Sequence, residues 1–438
     1  MKREIFQYDV MSKYKIKKST VKGNLTVPSS KSHTLRAILF GSLAKGKSII
    51  RQYLPSTDAQ AMINACQLLG AKIAVFPDRL EIDGVDGKIS TVEDVINSGN
   101  SGIVLRFISA IAALSPHYTV VTGDHSIRHQ RPIKTLLDAL SQLGAFTAST
   151  KGDGFAPVII KGPLKAGQAT LEGADSQPVS ALIIAAAFIE GTTEIFVNNP
   201  GEKPWILLTL DWLDRLGIRY ENNDFAHYRI FGKNSFNGFD YTVPGDLSSA
   251  AFPIAAALIT RSELTLNNID MNDPQGDKEL IYTLQKMGAN IDIDDKMKTL
   301  TVKRTDKLHG REIDINTFID AVPILTVIAC YAEGETRITN AAIARHKESD
   351  RLHAITTELQ NMGAQITELP DSLIIQPTQL HGTLVQSHHD HRMAMSLMVA
   401  GFGAEGETTV EGVECVAKTF PNVAQAFQAI GANVEIIP

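Results

Sequence analysis

The chain has 438 residues, 44% of them hydrophobic and 18 of them Pro, enough for a large core divided among about two or three domains. Its 42 Lys and Arg against 48 Asp and Glu leave a net charge of −6, so no global basic field draws it to nucleic acid. No apolar run approaches the ~18 residues that span a bilayer, and Cys66, Cys330 and Cys415 are spaced for neither zinc nor a disulfide framework, which points to a soluble cytoplasmic protein.

The chain opens on a basic stretch (Lys2, Arg3, Lys13, Lys15, Lys17, Lys18, Lys22) that no apolar run follows, so it reads as neither a signal peptide nor a transit peptide. The first strongly apolar helix is TLRAILFGSLA, which runs into Gly46 and gives way to a strand, SIIRQY. That order decides the meaning of Gly41 to Ser48, GSLAKGKS, which matches a nucleotide phosphate loop letter for letter. A phosphate loop needs a strand before it and a helix after it, so Gly46 is a helix stop and the nucleotide reading is set aside.

An amphipathic helix, DAQAMINACQLLGA, comes next and closes on Gly70. The pair then recurs along the chain. Its apolar members continue as VLRFISAIAAL, ALIIAAAFI, SSAAFPIAAALI, DAVPILTVIACYA and MAMSLMVAGF, apolar on every side and therefore expected inside a domain. Its amphipathic members close on Gly144, Gly217, Gly288, Gly363 and Gly431, where Gly takes the left-handed stop without a side-chain clash. Strands follow, with alternation visible in ANIDID and ANVEII. The six closing glycines lie 68 to 75 residues apart, the mark of one supersecondary unit present in six copies.

The starts of the six apolar helices are polar: Ser30-Lys31-Ser32, Asn100-Ser101-Gly102, Ser176-Gln177, Asp246 with Ser248 and Ser249, Asp320, and Asp390-His391-Arg392. Converging helix N-termini would make an anion site. Cations gather at the same junctions, with Lys31 and Arg36, then Arg106, then Arg345, Lys347 and Arg351, then Arg392 and Lys418. Many cations and few carboxylates suit small substrates bearing several negative charges. Asp320 and Glu348 are the conspicuous acids and the candidates for general base and acid. The tract His388-His389-Asp390-His391 invites a metal reading, but consecutive residues cannot all face one ion and the tract opens a buried helix, so no metal site is expected.

These segments closely resemble the 5-enolpyruvylshikimate-3-phosphate synthase family of enolpyruvyl transferases. The family's S-K-S-x-x-x-R appears as Ser30 to Arg36, its G-N-x-G stretch ending in Arg as Gly99 to Arg106, and R-P-I as Arg131 to Ile133. S-Q appears as Ser176-Gln177, Q-G-D as Gln275 to Asp277, K-E-[ST]-D-R as Lys347 to Arg351, D-H-R-M-A-M as Asp390 to Met395, and K-T-F-P as Lys418 to Pro421. The likeness covers nearly the whole chain.

The resemblance implies a two-domain inside-out α/β barrel, with six βαβαββ repeats around buried parallel helices. The halves would be 1–22 with 244–438, and 23–243, with the active site between them. Enolpyruvyl would pass from phosphoenolpyruvate to the 5-hydroxyl of shikimate 3-phosphate through a tetrahedral intermediate that loses phosphate, with no metal or organic cofactor and a monomer as the working unit. Phosphoenolpyruvate would meet Lys31, Asn100, Gly102, Arg128 or Arg131, Gln177, Arg351, Arg392 and Lys418. Shikimate 3-phosphate would meet Lys31, Ser32, Arg36, Ser176, Gln177, Asp320 and Lys347. Lys31, Asp320 and Glu348 would carry the proton transfers. Surrounding cations lower carboxylate pKa values, which makes Glu348 an awkward acid and leaves Lys31 as a second candidate.

The chain departs from the family pattern at Asp175 and Glu202, where many members have Ser, at Trp205 for Tyr, at Ile343 for Asn, and at Ile103 and Phe107. Two extra carboxylates near a phosphate would repel it unless turned away or paired. A sister transferase acting on UDP-N-acetylglucosamine would carry Lys-Asn at Lys31-Ser32 and a Cys in the loop from Ser126 to Pro132. Other classes are a kinase using Gly41 to Ser48 and a silent anion binder. Gly102, without a side chain, leaves room for the family's inhibitor glyphosate. Two charged substrates held between halves imply domain closure.

Overall fold

A computed structural model describes residues 12–438, so Lys2 and Arg3 lie outside the described residues. These residues form six four-stranded sheets of one design. In one of them, Glu312–Asp314 runs parallel to Thr336–Thr339, which pairs antiparallel with Leu373–Gln376, itself antiparallel to Gln365–Glu368. Two helices, Val322–Cys330 and Arg351–Asn361, complete the βαβαββ order.

Each apolar run is a helix with almost every residue buried: Lys31–Leu43, Gly102–Ala112, Ser176–Ala186, Leu247–Ile259, Val322–Cys330 and His391–Gly403. A helix apolar all round has no face for solvent, so it becomes the axis around which sheets pack. The amphipathic runs are the outer helices. Their closing glycines adopt φ from +68° to +107°, the left-handed stop that a side chain would strain. In GSLAKGKS, Gly41 lies inside a helix and Lys47-Ser48 inside the strand Lys45–Arg51, the reverse of a phosphate loop.

Buried side chains divide into two cores, one from Tyr14 to Val27 and Leu247 to Val434, the other from Leu35 to Val243. These are a terminal lobe and a central lobe, each an inside-out α/β barrel. The first crossing between lobes falls later than Lys22. Strand Lys22–Thr26 pairs in parallel with Glu263–Asn267, and Leu25 and Val27 lie in the terminal core, so the chain leaves that lobe between Val27 and Lys31. The return near Val243 lies alongside, with Ser30 N–H donating to Pro244 O at 2.8 Å and Asp246 N–H to Pro28 O at 2.8 Å. Strand Lys13–Lys17 sits between Glu407–Glu411 and Asn433–Ile437, joining the two ends of the chain in one sheet.

Candidate active site

One cleft between the lobes collects a residue from the start of all six buried helices: Lys31, Gly102, Ser176, Asp246, Asp320 and His391. The convergence follows from the repeat, because three parallel helices in each lobe point the same end inward. At five of the six starts a side chain already caps the first turn, with Ser30, Ser101, Asp175, Asp246 and Asp390 each accepting a backbone N–H.

The lining carries seven cations (Lys31, Arg36, Arg131, Lys347, Arg351, Arg392, Lys418) and five carboxylates (Asp58, Glu202, Asp246, Asp320, Glu348). The expected scarcity of carboxylates is therefore corrected: cations this close could not be buried together without counter-charges. Arg351 is the hub. Its guanidinium donates at 2.7 Å to Asp320 Oδ1, to Glu348 Oε2 and to Asp390 Oδ2. Asp320 Oδ2 also holds Arg392 at 2.9 Å, and Glu348 Oε1 holds Lys418 at 2.7 Å and Arg131 at 2.6 Å.

Several of these contacts join the lobes. Arg131 reaches Glu348, Lys347 reaches Glu202 at 2.5 Å, and Lys418 Nζ donates to Asn100 O at 2.7 Å and Oδ1 at 2.8 Å. The lobes are thus in a closed arrangement, stitched by ion pairs across the cleft.

Of the residues picked from sequence, Lys31, Ser32, Arg36, Gly102, Arg131, Ser176, Gln177, Asp320, Lys347, Glu348, Arg351, Arg392 and Lys418 line this cleft. Arg128 does not: it is exposed, and its carbonyl accepts from Lys151 at 3.2 Å. Asn100 sits at the edge under Lys418. Arg36 lines the cleft but donates to Thr209 Oγ1 at 3.1 and 2.9 Å and to Trp205 O at 3.3 Å. Asp175 turns away to Arg106 at 3.1 Å, and Ile343 packs against the terminal core outside the cleft.

Asp58 was not legible as a cleft residue. It reads as an ordinary first-turn acid of the helix Thr57–Leu68, yet it is buried, 3.8 Å from Lys31, and accepts from Ser101 Oγ at 2.9 Å.

Burial lowers the Lys31 ammonium from its ordinary value, and the nearby Lys418 and Arg392 lower it further against the pull of Asp58 and Glu348. Burial pushes Glu348 up, but Arg131, Lys418 and Arg351 outweigh it and hold that carboxyl well below the usual range. For Asp320 burial is likewise overcome, here by Arg392, Arg351 and Lys347. Burial keeps His391 neutral, well below the ordinary imidazole value.

Glu348, Asp390 and His391 bring possible ligand atoms within 4.8 Å of one another. Both carboxylates already hold Arg351, and Glu348 also holds Arg131 and Lys418, so a cation there would meet three positive side chains. His388, the exposed end of the same tract, meets Glu358 at 2.7 Å.

A family model described as EPSP synthase (3-phosphoshikimate 1-carboxyvinyltransferase) matches residues 16–427. A protein named 3-phosphoshikimate 1-carboxyvinyltransferase from Acetivibrio thermocellus is 44% identical over 420 residues, covering 96% of this chain and 98% of its own. One of the same name from Chlamydia abortus is 44% identical over 428 residues, covering 97% and 95%. A solved structure of EPSP synthase from Acinetobacter baumannii superposes with a TM-score of 0.83 at 29% identity, covering 98% of this chain and all of that one.

Proposed function

Because the chain belongs to the EPSP synthase family, and so transfers enolpyruvyl from phosphoenolpyruvate to the 5-hydroxyl of shikimate 3-phosphate with release of phosphate, we propose how its cleft divides that reaction. The observation that carries the reading is the hub at Arg351, where Asp320, the acid assigned to take a proton, and Glu348 are held by the cations assigned to phosphoenolpyruvate.

Arg131, Arg351, Arg392 and Lys418, with Gly102 and Gln177, hold phosphoenolpyruvate. Ser32, Arg36, Ser176, Gln177 and Lys347 hold shikimate 3-phosphate, and Lys31 stands between the two. Asp320, gripped by Arg351 and Arg392, is a weak base until phosphoenolpyruvate engages both guanidiniums. Their grip then loosens, the carboxylate gains basicity, and it takes the proton of the attacking 5-hydroxyl. The oxygen adds to C2 as C3 is protonated; the tetrahedral intermediate then gives a C3 proton back to the same donor, now neutral, and the C2=C3 double bond re-forms as the C2–O bond to phosphate breaks.

Lys31 is the better donor to C3. Its ammonium is made more acidic by burial and neighbouring cations, whereas Glu348 is held so firmly as an anion that it has no proton to give. Glu348 instead gathers Arg131, Arg351 and Lys418 into one arc. The reading takes the chain as a monomeric cytoplasmic enzyme needing no metal or organic cofactor. Among the described residues, no helix is long and apolar enough to cross a membrane.

The direct test is a phosphate-release assay requiring both substrates, repeated on Lys31→Ala; release independent of shikimate 3-phosphate would defeat the reading. Gly102→Ala gives a milder result. A β-carbon there would meet Arg106 Nη1 at 2.8 Å, Arg131 Nη1 at 3.2 Å and Gln177 Oε1 at 3.2 Å, all ends of side chains that can shift. The fold should hold while the phosphoenolpyruvate contacts move, raising KM for phosphoenolpyruvate about tenfold.

Closure has its own readout. Opening must break Arg131–Glu348, Lys347–Glu202 and Lys418–Asn100 together. Substrates that engage both lobes favour the closed form, so X-ray scattering is expected to show a smaller radius of gyration with both substrates than without. An unchanged radius would contradict this.

A further inference from the structure

At the acceptor end, Ser176 and Lys347, two of the groups assigned to shikimate 3-phosphate, are already occupied by a carboxylate, that of Glu202. Glu202 is 1% exposed. Its Oε2 accepts from Ser176 N–H at 3.0 Å and Ser176 Oγ at 2.9 Å, and its Oε1 accepts from Lys347 Nζ at 2.5 Å. Ser176 opens the buried helix Ser176–Ala186, so the carboxylate rests where a helix N-terminus, a hydroxyl and an ammonium converge. Three donors around one anion is the arrangement a phosphate oxygen would seek.

The residue is also pinned. Glu202 has φ +45°, the left-handed region that a β-carbon makes costly, and its backbone N–H donates to Asn316 Oδ1 of the other lobe at 3.1 Å. Such a conformation persists only where its surroundings over-determine it. Asp175, the other departure, does not compete. It caps its own helix through Gln177 N–H and turns to Arg106.

We infer that Glu202 is a specificity-determining residue for the acceptor: its carboxylate competes with the acceptor's phosphate for Ser176 and Lys347, and so weakens the preference for a phosphorylated cyclic hydroxy acid over the unphosphorylated form. The inference rests on the proposed function, which places the acceptor at those two residues. A phosphate monoester brings roughly −1.5 to −2 charges at pH 7. It must either displace Glu202 or lie beside it, and both weaken its binding. A neutral hydroxyl meets no such penalty, since it donates to the carboxylate and leaves the Lys347 pair intact.

The test compares shikimate 3-phosphate with shikimate as the unphosphorylated probe, at saturating phosphoenolpyruvate, in the wild-type chain, Glu202→Gln and Glu202→Ser. In Glu202→Gln the amide oxygen keeps the Ser176 contacts, while its NH2 faces Lys347 donor to donor and releases it. KM for shikimate 3-phosphate is expected to fall about tenfold, and the kcat/KM ratio of phosphorylated to unphosphorylated acceptor to rise about tenfold, with KM for phosphoenolpyruvate within about twofold.

Glu202→Ser is expected to move the ratio the same way. A ratio unchanged or lowered in the variants overturns the inference. The wild-type chain is a check independent of variant folding. A site built for phosphate rejects the analogue lacking its polar group by about 10⁴–10⁵, so a wild-type ratio in that range also overturns it, and a ratio far below supports it. If the wild-type chain releases no phosphate from shikimate 3-phosphate and phosphoenolpyruvate, the proposed function fails instead.

Discussion

Asp320→Asn is expected to lower kcat by about 10²–10⁴-fold, the range that a positioned proton acceptor contributes. Asparagine keeps the size of the side chain, and its carbonyl oxygen can hold one of the two arginines now at 2.7 and 2.9 Å, but it cannot take a proton. The pH profile separates this role from a structural one. In the free protein Arg392, Arg351 and Lys347 outweigh burial and hold the Asp320 carboxyl well below the usual range. It therefore stays ionised through any working pH, and the acid limb of kcat/KM, which reports the free enzyme, cannot be its titration. With phosphoenolpyruvate on Arg351 and Arg392 the carboxyl pKa rises, so an acid limb that kcat/KM for phosphoenolpyruvate lacks should enter the kcat profile and vanish in the Asn variant. A variant whose loss falls on KM alone, with kcat intact, would show Asp320 to be a positioning group.

Features with a local cause were legible in the sequence, and those with a long-range cause were not. Gly70 and its five counterparts declared helix ends because left-handed backbone is a property of the residue itself. The buried helices declared themselves because VPILTVIAC has no polar face to offer water. Strand Lys22–Thr26, KGNLT, buries a single side chain, Leu25, so nothing in it says which lobe it joins; pairing with Glu263–Asn267, more than two hundred residues on, decides. The cations of the cleft were visible as residue types at helix starts. Their partners were not, because Glu202 meets Lys347 across 145 positions and Glu348 meets Lys418 across 70. Arg128 and Arg131 offered the same chemistry three residues apart. Arg128 lies within the short helix His125–His129 on its exposed side, whereas Arg131, just past its end, enters the cleft.

Arg351→Met is expected to cost about 3–5 kcal/mol of stability, as breaking a buried ion pair by removing one partner generally does. The guanidinium is 1% exposed and stands in the first turn of the helix Arg351–Asn361, where the backbone dipole disfavours a cation. Three carboxylates offset that. Without Arg351, Asp320 still has Arg392, and Glu348 still has Arg131 and Lys418. Asp390, fully buried, keeps Ser349 Oγ at 3.1 Å and the Arg392 backbone N–H at 2.9 Å, but its close cation is gone. It is the stranded charge. Denaturant unfolding of Arg351→Met, Asp390→Asn and the pair tests this directly. Asparagine at 390 can still cap the helix His391–Gly403 while carrying no charge, so the double variant should lose clearly less than the two single losses added. Strict additivity, or a loss in Arg351→Met under about 1 kcal/mol, would mean that Asp390 and Arg351 are not energetically coupled and that Ser349 and the backbone N–H of Arg392 suffice to hold Asp390.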